Sequence, residues 1–478
     1  MNGRLPLGAV PVLLVLVACG ARESGPPSKD LVITDLRLDL ALHYDDGSMA
    51  GRATITVLNV GDASARRIPV QLGRLFRVSA VSDSAGAPVP FTQDLITLAD
   101  WPIFQVNQIY LTADPALRTG ESRAFTVAYG GYLVGYTETG MMYVRDHIDH
   151  AFTMLREDAL AFPTLHLPSS HDSRTMPRRD FSYGLRVTVP SDLVVAAAVP
   201  PAARSDSGGV STWTFESTAP VPFLNVPIAP YGLLERGGVR IFHFPADSAG
   251  ARAVLRGIER VTDTYTRWLG PIERRTTLTV MEIPEGWGSQ ASLSAGIIQT
   301  ADQFAGGATL IGMYHELAHL WHATDTDTPP VRWNEGLATF LQFRAAEALD
   351  GRSLEESMRW VASRLVSRAA DDSAAATVPM AQYGQRGLTD FSYSTGALLF
   401  YALFRVLGDT AFDAALQSYG AAYGASGSST DQMMRHIREH SPVDLGPVFD
   451  DWLTTTNGYR RLAAGETIDA IIAGYRRR

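Results

Sequence analysis

The stretch "MYHELAHLWHATDTDTPPVRWNEGLATFLQFRAAEAL", Met313 to Leu349, decides how this chain is read. Within it His315, Glu316 and His319 form an H-E-x-x-H pattern. On a helix, positions i and i+4 share one face, so both imidazoles can reach one Zn²⁺ ion. Glu316 sits beside them and can accept a proton from a metal-held water. A catalytic zinc needs a third protein ligand. Glu335 is the strongest candidate, because it opens a second apolar, helix-like segment after the Pro329-Pro330 loop, and two such helices can pack antiparallel. His322 lies three residues beyond His319, on a turn expected to point away. Asp325 stands at the spacing of another zincin class, but that class requires glycine where this chain has His322. An amphipathic helix pair with incidental polar residues is the bland alternative. It leaves the joint occurrence of H-E-x-x-H, W-N-E-G and an export signal unexplained.

Working outward, the composition is that of an ordinary globular protein. The chain has 478 residues, 46% hydrophobic and 19% charged, long enough for several domains. The net charge is −9 and no basic cluster occurs, so nucleic acid is not an expected partner. The first residues read as a leader. A basic start at Arg4 precedes an apolar run, Leu5 to Ala18, too short to span a bilayer. "LVAC", Leu16 to Cys19, resembles a bacterial lipobox, and Cys19 is the chain's single cysteine. The expectation is a lipoprotein signal peptide over 1–18 and lipidation at Cys19. The polar tether at 19–30 is rich in Gly, Pro and Ser. The protein is then exported and lipid-anchored in a bacterial cell envelope, at the outer membrane or the periplasmic face. Its contact with membrane is through the anchor only.

From Leu31 the pattern alternates with period two, as in "LVITDLRLDLALHY", "GRATITVLNV" and "FSYGLRVTVP". This predicts an antiparallel β-sandwich or saddle over 31–235. A mixed α/β unit and then helices fill 236–478. Residues 249–270 have helical spacing, "TTLTVMEIP" and "ASLSAGIIQT" read as strands, and 368–387 reads as an exposed loop. The fold class is multidomain α+β.

These residues resemble the aminopeptidase N family of zinc metallopeptidases, which are gluzincins. "HELAHLW" and "WNEGLATF" are similar to its zinc signature, although fifteen residues, Leu320 to Asn334, separate the second histidine from the glutamate where the family has eighteen. The resemblance implies a thermolysin-like α/β peptidase domain with a mostly helical second half. It implies one zinc per chain, held by His315, His319 and Glu335, with Glu316 as general base. "FSYSTGALLFYALFRVLGDTAFDAALQSY" resembles the family segment with the catalytic tyrosine, which falls on Tyr393, with Tyr383 as the alternative. A peptide substrate is expected to pair with the edge strand around Gly296, Ile297 and Ile298. The chain departs from the family where a carboxylate holds the substrate's free amine. The matching positions fall near Leu293 and Met154, with Glu157, Asp158, Glu282 and Glu285 as possible substitutes. Peptide hydrolysis is therefore expected, aminopeptidase-like in type. A gluzincin endopeptidase without amine recognition and a catalytically silent binding lipoprotein remain as alternatives.

Overall fold

A computed structural model describes residues 26–133, 147–272, 277–306 and 310–476. The expected leader and Cys19 lie outside the described residues.

The N-terminal half is β-structure built by alternation. In β1 (Leu31–His43), Leu36, Leu38, Leu40 and Leu42 are buried, while Arg37 and Asp39 face solvent and pair with Asp35 and Arg186. β1 pairs with β2 (Ser48–Asn59), and the short connection between them makes that pairing antiparallel. The next strands are β3 (Ala65–Gly73), β4 (Phe76–Asp83), β5 (Phe91–Leu98), β6 (Trp101–Leu117) and β7 (Ser122–Tyr132). After them come β8 (Thr153–Arg156), β9 (Thr164–Leu165), β10 (Ser182–Pro190), β11 (Val194–Val195), β12 (Ala203–Ser207), β13 (Val210–Glu216) and β14 (Asn225–Ala229). They form a seven-stranded sheet in the order β12-β13-β10-β1-β2-β7-β4, a four-stranded sheet β5-β6-β3-β9 and a three-stranded sheet β11-β14-β8. The larger sheet is not purely antiparallel as expected, because β10 returns alongside β1 in parallel register after a long connection. β3 is buried along most of its length. Gln71 within it is satisfied by Gln108 Oε1 at 2.8 Å and by the Leu167 carbonyl at 2.7 Å, so the polar side chain does not break the layer.

A fourth sheet follows, ordered β15-β16-β17-β19-β18. It contains β15 (Gly232–Arg236), β16 (Val239–His243), β17 (Leu278–Ile283), β18 (Gln290–Ser292) and β19 (Gly296–Thr300). The β15–β16 hairpin straddles residue 235, where the sequence reading divides the chain. "ASLSAGIIQT" is a turn-linked pair of strands. β19 is interior, parallel to β17 on one side and antiparallel to β18 on the other. This corrects the expectation of a free edge at Gly296, Ile297 and Ile298. Their backbone is engaged on both flanks, Ile297 and Ile298 are buried, and the free edge belongs to β18.

One core joins the two halves. Phe152, Met154, Ala196 and Ala229 from the β-domain pack with Phe242, Met281, Ile283 and Ile298 from the fourth sheet and with Trp287 from the connection between β17 and β18. Met154 is fully buried there, out of reach of a substrate. The rest of the chain is mainly helical. The segment 368–387 is not an exposed loop. It holds the end of the helix Leu354–Asp371 and then short turns, and Met380 and Tyr383 are buried because their apolar side chains fill the helical core. Among the described residues, no helix is long and apolar enough to cross a membrane.

Candidate active site

The helix Ile311–Ala318 turns Met313, Tyr314, Leu317 and Ala318 into the core and leaves His315 and Glu316 on its rim. His319 caps this helix in right-handed helical conformation (φ −58°, ψ −23°), so the i, i+4 geometry survives to its last residue. Beyond it the backbone becomes extended at His322. The second helix, Trp333–Asp350, brings Glu335 in from its first turn.

Three ligand atoms converge. His315 Nε2 and His319 Nε2 are 3.2 Å apart, and each is 3.3 Å from Glu335 Oε2. Atoms bound to zinc at about 2.0–2.1 Å in tetrahedral directions stand roughly 3.3–3.4 Å from one another, so the triangle has the size a tetrahedral zinc requires. Among the described residues this is the group of His, Cys, Asp or Glu side chains that meets as a candidate metal set. The chemistry of the donors fits as well. His315 Nδ1 lies 2.8 Å from Gln342 Oε1, an acceptor, so Nδ1 carries the proton and Nε2 presents its lone pair. Gln342 stands seven residues after Glu335 on the same helix, a spacing that returns it to the same face. Sequence reading missed it. Two helical turns from a ligand glutamate was the available signal.

The two glutamates are driven in opposite directions. Burial pushes the Glu316 carboxyl up to about 7. Burial acts the same way on Glu335, but His319, His315 and Arg332 outweigh it and hold that carboxyl well below the usual range. Glu335 is therefore held as an anion, whereas Glu316 can exchange a proton near neutral pH. Tyr393 comes from the helix Ser392–Leu407, and its ring stacks on His315 at 5.8 Å between centroids. Tyr383 is buried, with its hydroxyl 3.1 Å from Thr395 Oγ1. Asp325 is not in the ligand set. Its carboxylate accepts the backbone N–H groups of Asp327 and Arg332 at 3.0 and 2.6 Å. His322 lies edge-on to His319 at 5.3 Å with neither ring nitrogen hydrogen-bonded.

Tyr393 reaches this position because two helices touch backbone to backbone. A Cβ on Gly336 would stand 2.4 Å from Gly396 Cα, and one on Gly396 would stand 2.8 Å from Gly336 Cα. Gly336 follows the ligand Glu335, and Gly396 lies one turn after Tyr393.

A cavity of about 980 Å³ opens beside the site, between the β-domain and the helices. Arg332, Glu157, Asp158, Asn225 and Gln290 are among its lining residues. Asp158 is tied to the Arg156 guanidinium. Glu157 keeps Oε2 buried without a hydrogen-bond partner, and burial pushes its carboxyl up to about 7. Glu282 is fully buried, its carboxylate accepting the Phe244 N–H at 2.7 Å, and neither it nor Glu285 lines the cavity. Leu293 lies in the turn between β18 and β19.

Replacing Gln342 by Leu removes the acceptor that fixes the His315 tautomer. Zinc affinity, measured by chelator competition, is expected to fall about 10- to 100-fold while the apo fold keeps its melting temperature. Unchanged affinity would show that the His315 ring is oriented by its packing alone.

Residues 302–452 match the model of the peptidase family M1 domain. No curated protein sequence matches the chain. Solved structures do. An M1 zinc metallopeptidase variant from Deinococcus radiodurans, bound to a Tyr-Ser-Ala substrate, matches with TM-score 0.64 and 19% identity over 89% of this chain and 95% of that one. A two-domain M1 zinc metallopeptidase variant bound to L-arginine matches with TM-score 0.59 and 19% identity, covering 94% of this chain and 95% of that one. Yeast LTA4 hydrolase in complex with bestatin matches with TM-score 0.63 and 14% identity, over 91% of this chain and 70% of that one. These identities speak for a shared fold, a β-rich N-terminal part followed by a helical part. The domain match over 302–452, with the His-His-Glu set inside it, shows that this chain carries a peptidase family M1 domain, a zinc metallopeptidase unit with one zinc site.

Proposed function

We propose that the protein is an aminopeptidase-like enzyme acting on short peptides. The observation that carries hydrolysis is the convergence of the His315, His319 and Glu335 ligand atoms, with Glu316 and Tyr393 against them. Zinc held there would polarise the scissile carbonyl and acidify a water. Glu316, raised by burial toward neutrality, takes the proton of the attacking water and returns it to the leaving amine. Tyr393 donates its phenolic hydrogen to the oxyanion. Burial pushes the phenol's pKa further above its ordinary value, so it stays a neutral donor at working pH. Glu316→Gln should retain zinc and lose nearly all turnover. Tyr393→Phe should lower kcat by about 10²–10³ with unchanged zinc content. Loss of metal in Glu316→Gln, or full activity in Tyr393→Phe, would reassign these roles.

Amine recognition rests on Glu157. It lines the cavity that holds Arg332 and Gln290, one of its carboxylate oxygens is unbonded, and a cationic amine would supply the missing partner. Gln290 belongs to β18, the free edge along which a peptide backbone can add a strand. The Deinococcus radiodurans enzyme bound to a tripeptide supports substrates of that length. The wild-type protein should cleave a free peptide faster than its N-acetylated form, and Glu157→Gln should abolish the difference. The carboxyl must be ionised to hold an amine, and its pKa is raised to about 7. KM for the free peptide should therefore rise as pH falls through about 7, and KM for the acetylated one should not. Equal cleavage of both peptides by the wild type would instead favour an endopeptidase.

We further propose export and lipid anchoring at Cys19, supported by the leader and lipobox-like stretch. In a bacterial host, Cys19→Ser should move the protein from the membrane to the soluble fraction and stop incorporation of labelled fatty acid. Membrane retention by the variant would contradict the anchor.

A further inference from the structure

Arg332 is one of two non-glycine residues among those described with a left-handed backbone, at φ 62°. Such a conformation is costly for a long side chain and persists only where its surroundings enforce it. Here they do. Its backbone N–H is held 2.6 Å from Asp325 Oδ2, and Asp325 also accepts from Asp327 N–H. Asp327 in turn accepts the Thr430 N–H at 3.0 Å, which ties the loop to the start of the helix Thr430–Glu439.

The strained turn delivers one nitrogen to two partners. Arg332 Nη2 lies 2.7 Å from Glu335 Oε1 and 3.2 Å from the Tyr393 hydroxyl oxygen. A guanidinium nitrogen of this kind carries two hydrogens, so both contacts can be donated at once. Glu335 is thereby divided, with Oε1 on the guanidinium and Oε2 facing both imidazoles. The phenol and the Glu335 carboxylate thus share one donor nitrogen. With Oε1 freed of the guanidinium, an anionic acceptor would stand open to the phenolic hydrogen.

We propose that Arg332 is a positioning residue with two tasks. By occupying Glu335 Oε1 it fixes which oxygen serves the metal. By donating to the phenol oxygen it leaves the Tyr393 hydrogen to be given to the substrate. The second task rests on the role assigned to Tyr393 above. The sequence did not single out Arg332, and neither the domain match nor the structural relatives assign it a role. Lysine is a poor replacement, because its ammonium is a compact, strongly hydrated point charge without the planar fork.

The test uses the zinc-loaded full chain. Arg332→Gln should lower kcat about 10- to 100-fold with little change in KM, and should weaken zinc binding in chelator competition by a comparable factor. Arg332→Asn should behave the same way, and because asparagine tolerates the left-handed conformation it shows that the loss is not misfolding. Arg332→Lys should recover part of the zinc affinity. The deciding comparison is with Tyr393→Phe. In the double variant, kcat should be no lower than in Tyr393→Phe alone, because the phenolic hydrogen is already gone. If the two losses multiply, or if Arg332→Gln keeps both wild-type kcat and wild-type zinc affinity, the proposal is overturned. If Tyr393→Phe alone is fully active, the tyrosine's assigned role falls and takes the second task with it. Zinc affinity then still decides the first task.

Discussion

The contact between Gly336 and Gly396 is the constraint on which the catalytic geometry depends. Two helices can meet at the distance of their backbones only where neither carries a Cβ. Gly336 follows a metal ligand and Gly396 lies one turn beyond the tyrosine that stacks on His315, so this single crossing sets how far the phenol stands from the metal position. The helices around the crossing share one core with Trp333, Phe340, Phe400 and Tyr419, which gives it little freedom to relax. An alanine at either glycine would have to push backbone against backbone, since the atom nearest its Cβ is in each case the other glycine's Cα.

Around that crossing the site is organised by charge. Two carboxylates lie close together in a largely buried place, a costly arrangement unless their environments differ. They do. Glu335 is surrounded by two imidazoles and a guanidinium and stays anionic, whereas Glu316 lacks comparable compensation and is lifted toward neutral pH. The Asp325 carboxylate, drawn into the same cluster by the Arg332 and Asp327 backbone N–H groups, serves the loop. The sequence alternative that made Asp325 a ligand fails for that reason, since its oxygens are used in holding the turn that aims Arg332.

The β-domain contributes more than a platform. Through Phe152, Met154 and Ala229 it shares a core with the peptidase sheet, and through Glu157, Asp158 and Asn225 it supplies one wall of the cavity beside the zinc site. Burying Met154 in that core removes it from recognition and leaves Glu157, three residues on, facing the cleft. The strand β8 is buried along its whole length, and the turn that follows decides which carboxylates line the cavity.

The sequence by itself determined the elements whose signals are local. The i, i+4 histidines, the glutamate opening the next helix and the two-residue alternation of the N-terminal strands are properties of neighbouring residues, and each was readable without the fold. Tertiary structure decided what depends on contacts between distant segments. That β19 is interior and β18 the edge follows from which strands flank it, and no periodicity encodes flanking. That Tyr393 and not Tyr383 stands at the site follows from a glycine-to-glycine crossing between segments some sixty residues apart in the chain. Gln342, Arg332 and Glu157 gave no motif at all. Their places come from a helix face, a strained turn and a domain boundary, and in each case the physical reason is that a side chain's partner is chosen in space and not along the chain.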